Sequence, residues 1–103
     1  MSDKSLESLS EESLELVGGG FAMPADARWI MQHESNGNTH ARNPHSTAFG
    51  AFQMLAANRK HYMGGDWQST DMSKQYAAAT HYVHDRYGSW SNAKAFWQRH
   101  RWY

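Results

Sequence analysis

Residues 24–35 read PADARWIMQHES, and this stretch decides the fold. Ala27, Ile30 and Met31 recur at helical spacing and share one face, with Trp29 at its edge. Pro24 is preorganised for the first turn of a helix, where its missing N–H costs nothing. Asp26 then sits at the positive end of the helix dipole. The spacing predicts a helix from Pro24 to Ser35. The run that follows, SNGNTHARNPHSTAFG at 35–50, gathers Asn, Gly, Ser and Pro, which is loop chemistry.

Toward the C-terminus the helical pattern resumes. Ala51 to Tyr62 reads as a second helix, and Gly64-Gly65-Asp66 as a turn. Asp71 or Ser73 can cap a third helix running to Tyr87, with Met72, Tyr76, Ala79, Val83 and Tyr87 at intervals of three or four. Gly88 stops it, and Ser91 can cap a last helix carrying Ala95, Phe96 and Trp97. Strand alternation is confined to a short hairpin within 37–50. The body is predicted to be mainly α, an α+β arrangement in which a loop or small hairpin forms a cleft among the helices.

Composition sets the outer bounds. A chain of 103 residues without cysteine holds one small core and neither a disulfide scaffold, a thiolate metal site nor a Cys nucleophile. A mean hydropathy of −0.84 alone would suit disorder, but five tryptophans argue for a packed interior. No apolar run approaches the roughly 20 residues that cross a bilayer, and no basic-then-apolar stretch marks a standard secretory signal. The neutral total hides an asymmetry. Residues 1–20 carry one lysine against five carboxylates, whereas 21–103 carry nine Lys and Arg against five carboxylates and all seven histidines. A cationic body suits an anionic polymer, whether cell wall, nucleic acid or membrane surface.

The acidic segment, MSDKSLESLSEESLELVGGG, has Leu6, Leu9, Leu14 and Val17 near helical spacing, so a leader helix is expected, ended by Gly18 to Gly20. It resembles the double-glycine leader of peptide bacteriocins. With Gly19 and Gly20 as the terminal pair, Val17, Leu14 and Leu9 fall on that leader's apolar positions, and Ser13 stands where Glu is usual. The resemblance implies a division into a leader, 1–20, and a body, 21–103. It also implies cleavage after Gly20 by the peptidase of an ABC exporter, leaving the body secreted or at the cell wall.

Glu34 ends the first helix just before the polar loop. There a rigid element can hold a carboxyl at a cleft, and burial against Trp or Met would raise its pKa as a general acid requires. Around it, Glu34-Ser35, Asn43-Pro44, Ser46, AFGAFQ at 48–53 and ATHY at 79–82 occur in the order seen in lysozyme-like lytic transglycosylases. The ending RYGSW at 86–90, AFW at 95–97, His100 and Trp102-Tyr103 is similar to short wall-active domains of Gram-positive surface proteins. The resemblance covers nearly all of 27–103.

It implies a lysozyme-like fold acting on the MurNAc–GlcNAc linkage of peptidoglycan glycan strands, with Glu34 as general acid and then base. Ser35 would set the helix end, Gly50 would let a sugar approach the backbone, and Gln53 would offer amide hydrogen bonds. Ser46 would join the substrate site, and Tyr82 would hydrogen-bond near the carboxyl or the N-acetyl group. Thr47 and Arg101 stand where Gly is usual, and Phe49 where Tyr is. No second carboxylate is an obvious partner for Glu34. A substrate-assisted, anhydro-forming route fits, with Asp66 or Asp85 left as bases for a hydrolytic variant.

The remaining signals are weaker. Trp67, beside the glycine turn, is the expected sugar-stacking ring. His81 and His84 lie three apart, but no HExxH string accompanies them, and no metal or cofactor is expected. Arg99-His100-Arg101 reads as a solvated terminal patch, so no nucleic acid is expected as a partner. A monomer without membrane insertion is expected. Two other classes remain: a catalytically silent wall-binding module that uses the fold only to recognise glycan, and a membrane-active bacteriocin-like peptide.

Overall fold

The structure, a computed structural model, describes residues 14–17 and 21–103. Two short strands, β1 (Leu14–Val17) and β2 (Phe21–Pro24), precede four helices: α1 (Ala25–Ser35), α2 (Ala56–Met63), α3 (Met72–Tyr87) and α4 (Trp90–His100). A single 3-10 turn, Gly64–Asp66, follows α2. The described residues form a mainly helical domain.

Several expectations hold at the level of single residues. Pro24 stands at the N-cap of α1, and Asn36 ends that helix in the left-handed conformation with φ of 56°. Asp71 caps α3 by accepting from the Lys74 N–H, and Gly88 ends it at φ of 88°. Ala27, Ile30 and Met31 of α1 meet Ala78, Ala79 and Val83 of α3 in one buried cluster around Phe52. The Phe52 ring packs against Tyr76 and Trp90 at 6.2 and 5.6 Å.

Three boundaries differ. The leader helix does not extend through Leu14–Val17, which pairs antiparallel with Phe21–Pro24, Val17 opposite Phe21. Leu-Glu-Leu-Val also alternates with a period of two and ends on a β-branched residue, so strand pairing competes well there. The rest of the leader, including Gly19 and Gly20, lies outside the described residues. The second helix starts at Ala56 rather than Ala51, because Gly50 and Gln53 adopt φ of 92° and 51° and turn the chain. Phe49 bridges both Arg42 and Met54 across that turn, which is what remains of the expected hairpin. Ser89, not Ser91, caps α4: its hydroxyl accepts from the Asn92 N–H, three residues on, as cap geometry demands.

Candidate active site

Glu34 occupies the last turn of α1, partly buried. Trp97 reaches across from α4, and its indole Nε1–H donates to Glu34 Oε2 at 2.6 Å. Around this bond, His33 stacks on Trp29 at 3.8 Å and meets Trp97 edge-on at 5.1 Å, while its Nδ1 lies 2.8 Å from the Trp29 carbonyl. Burial raises the Glu34 pKa above its usual value, the Trp97 bond and the neighbouring His33 pulling the other way. Desolvation wins because it penalises the charged form more than one donor and one exposed imidazole favour it.

The carboxyl opens on a cavity of about 240 Å³ lined also by Asn43, Ala48, Gln53, Leu55, Trp102 and Tyr103. Trp102 is 49% exposed there, which leaves a large ring face for a ligand. Tyr103 is tied down twice: its hydroxyl donates to the Phe52 carbonyl at 2.7 Å, and its own carbonyl accepts from the Tyr82 hydroxyl at 3.0 Å. Burial and the nearby Glu34 charge push the Tyr103 phenol well above its usual pKa, so it stays neutral.

The expected site residues divide into two groups. Ser35 does set the helix end: its hydroxyl donates to the Ala51 carbonyl at 2.6 Å and accepts from the N–H groups of Gly37 and Asn38. Gln53 lines the Glu34 cavity, although its amide N–H groups are spent on the Ala41 and Gly50 carbonyls.

Tyr82 does not reach the carboxyl. Its hydroxyl is taken by Tyr103, and burial raises its pKa to about 12. A Cβ at Gly50 would stand 2.8 Å from the Gln75 amide, and Gly50 is not among the residues lining the Glu34 cavity. Ser46 and Trp67 line a neighbouring cavity of about 570 Å³ instead, with the Ser46 hydroxyl accepting from the Ala48 N–H. The exposed ring beside Glu34 is Trp102, not Trp67.

Both departures at glycine positions have local work. Thr47 Oγ1 accepts from the Ala56 N–H and so satisfies a donor in the first turn of α2. Arg101 ends α4 at φ of 67°, a conformation glycine adopts freely, with its N–H on the Trp97 carbonyl.

Gln75 is the residue sequence reading missed. It is 4% exposed, its carbonyl oxygen accepts from the Ala51 N–H, and its amide donates to the Thr39 and Ser69 carbonyls. One side chain thereby joins three backbone segments around the cleft. A signal existed, since Gln75 shares the helical face of Ala78, Ala79 and Tyr82.

The other acids are engaged elsewhere. Asp26 pairs with Lys94, Asp66 with Lys74, Asp71 caps α3, and Asp85 accepts from the Tyr62 hydroxyl. None of them lines the Glu34 cavity. Among the described residues, no three His, Cys, Asp or Glu side chains gather as a metal site, and no helix is long and apolar enough to cross a membrane. Compared with family models, curated proteins and solved structures, the chain matches none.

Proposed function

We propose that the body cleaves the MurNAc–GlcNAc linkage of peptidoglycan as a lytic transglycosylase, with Glu34 as its single acid and base. The observation that carries this reading is the Glu34–Trp97 pair at the edge of an open cavity. Trp97 holds Oε2, Oε1 has no hydrogen-bond partner among the described residues, and burial keeps a proton on the carboxyl to higher pH than in water. Glu34 gives that proton to the glycosidic oxygen as the bond to the anomeric carbon breaks. The sugar's own C6 hydroxyl then closes on that carbon and returns its proton to Glu34, leaving a 1,6-anhydro end.

Asp66 and Asp85, the two bases a hydrolytic variant would use, are held by Lys74 and Tyr62 and do not line the cavity. This favours intramolecular attack over activated water, since glycosidases that employ water place a second carboxylate beside the scissile bond. Trp102 supplies the stacking face. The leader pattern supports export by a peptidase-containing ABC transporter, with cleavage after Gly20 and release to the wall.

Mass spectrometry of fragments released from purified peptidoglycan tests the reading. Anhydro-muropeptides are expected. Reducing ends would make the protein a muramidase, and absence of fragments from several wall types would leave a wall-binding module.

The Trp97 bond yields a second prediction. Trp97→Phe keeps a ring but removes the donor that favours the ionised carboxylate, so the Glu34 pKa should rise further. A general acid works while protonated, hence the alkaline limb of the pH–rate profile should move to higher pH. An unmoved limb would show that the bond does not tune the acid.

A further inference from the structure

The larger cavity, about 570 Å³, is built differently from the Glu34 cleft. Arg42, Asn43, Ser46, Phe49, Arg59 and Trp67 shape it, and no Asp or Glu among the described residues lines it. The Arg42 and Arg59 guanidinium carbons lie 5.0 and 5.2 Å from the centre of the same Phe49 ring. Arg59 is also 5.1 Å from the Trp67 ring, with Lys60 4.6 Å from that ring.

The two arginines differ in commitment. Arg59 is buried, and its three nitrogens donate to the carbonyls of Met54, Trp67 and Thr47, so it is a fixed positive floor. Arg42 is exposed, and no carboxylate pairs with it among the described residues. Burial lowers the Arg59 pKa, and the like charge of Arg42 near the same ring adds to that lowering. An anion placed between the two guanidinium groups would offset their like charge.

We infer that this cavity binds the carboxylate of a short peptide branch carried by the glycan strand, a subsite separate from the one where the sugar bond is cut. The inference rests on the peptidoglycan reading. Three features select this ligand. The cavity falls within the range of organic ligand sites, and a single small inorganic anion would fill little of it. Its walls pair guanidinium groups with apolar and aromatic faces, matching a carboxylate on a short side-chain-bearing branch. Asn43 and Ala48 line both cavities, so a branch on a sugar seated near Glu34 reaches it without leaving the surface.

Binding is best measured with a chain that cannot cut. The full-length Glu34→Gln protein is titrated calorimetrically with glycan oligomers carrying their stem peptides, and with chitin oligomers of matched length, which carry neither branch nor carboxylate. The stem-bearing oligomers should bind about tenfold more tightly, the scale of one charge-assisted guanidinium–carboxylate contact, and added salt should erode that advantage. Adding Arg42→Gln should bring the two ligands to equal affinity. Adding Arg42→Lys instead, which keeps charge without the fork, should retain part of the preference. Circular dichroism checks that each variant is folded.

Equal affinity for both oligomers in Glu34→Gln, or a preference that survives Arg42→Gln, would overturn the inference. So would absence of binding to either. Cleavage by the parent chain is scored separately. Cleavage with equal affinities leaves the enzyme and removes the subsite, whereas stem-dependent binding without cleavage leaves the subsite and removes the enzyme.

Discussion

Replacing Glu34 with Gln is expected to lower muropeptide release by roughly 10²–10⁴-fold, the usual contribution of a positioned general acid and base. The substitution keeps the shape of the side chain, and the amide oxygen can still accept from Trp97 Nε1. What it loses is the transferable proton. Among the described residues, no other Asp or Glu lines the cavity to replace it. Loss of fragments from a variant that remains folded would place the chemistry on Glu34, while retained activity would remove it from the mechanism.

The same variant makes a separate claim about stability. Burial raises the Glu34 pKa, so the native state binds more protons than the unfolded chain between the ordinary glutamate pKa and the raised one. Stability must therefore fall as pH rises through that window, because ionisation leaves a partly desolvated charge in the fold. Glu34→Gln abolishes that dependence. The variant should unfold at an equal or higher temperature than the parent at neutral pH, with the difference shrinking toward pH 4. Thermal unfolding followed by circular dichroism at both pH values reads this directly.

Away from the carboxyl, Gln75 is the position where substitution should do most damage, beginning with Gln75→Leu. The apolar side chain fits the buried position but strands the Ala51 N–H and the Thr39 and Ser69 carbonyls. At about 1–3 kcal/mol for each group left unpaired, the three together cost on the order of 3–9 kcal/mol, the two part-buried carbonyls holding the sum toward the lower end. In a domain of this size that lowers the melting temperature by about 12 °C or more. Gln75→Glu should be at least as harmful at neutral pH, since it turns the two donor positions toward carbonyls with an acceptor. Acidification should restore part of its stability by returning one proton. A shift of only a few degrees in both variants would mean that the three segments hold one another without the amide.

The contrast between Glu34 and Gln75 shows what could be read from the sequence. Local signals carried well: Pro24, Asp71 and Gly88 each mark a helix end through their own backbone chemistry, and the structure uses all three there. The position of Glu34 at the close of α1 followed from that local pattern. Its partner did not, because Trp97 lies 63 residues away and depends on how α1 packs against α4. Ser89 and Ser91 offer equal cap chemistry, and Trp90 decides between them by turning its ring into the core. Leu14–Val17 fits two periodicities at once, and only the presence of Phe21–Pro24 as a partner strand resolves it. Tyr82 bears a hydroxyl in the expected region, yet Tyr103 captures it. Competition between partners for one polar group is not written in spacing.

The reach of the Glu34–Trp97 bond also sets a schedule for synthesis. At about 5–20 residues per second, some 3–13 seconds separate the addition of residue 34 from that of residue 97 on the ribosome. Tyr103, which closes one wall of the cavity onto Phe52, comes later still. During that interval α1 has emerged with its carboxyl in water, lacking the aromatic shelter that raises its proton affinity. A nascent chain therefore carries the carboxyl long before it carries the surroundings that raise its proton affinity.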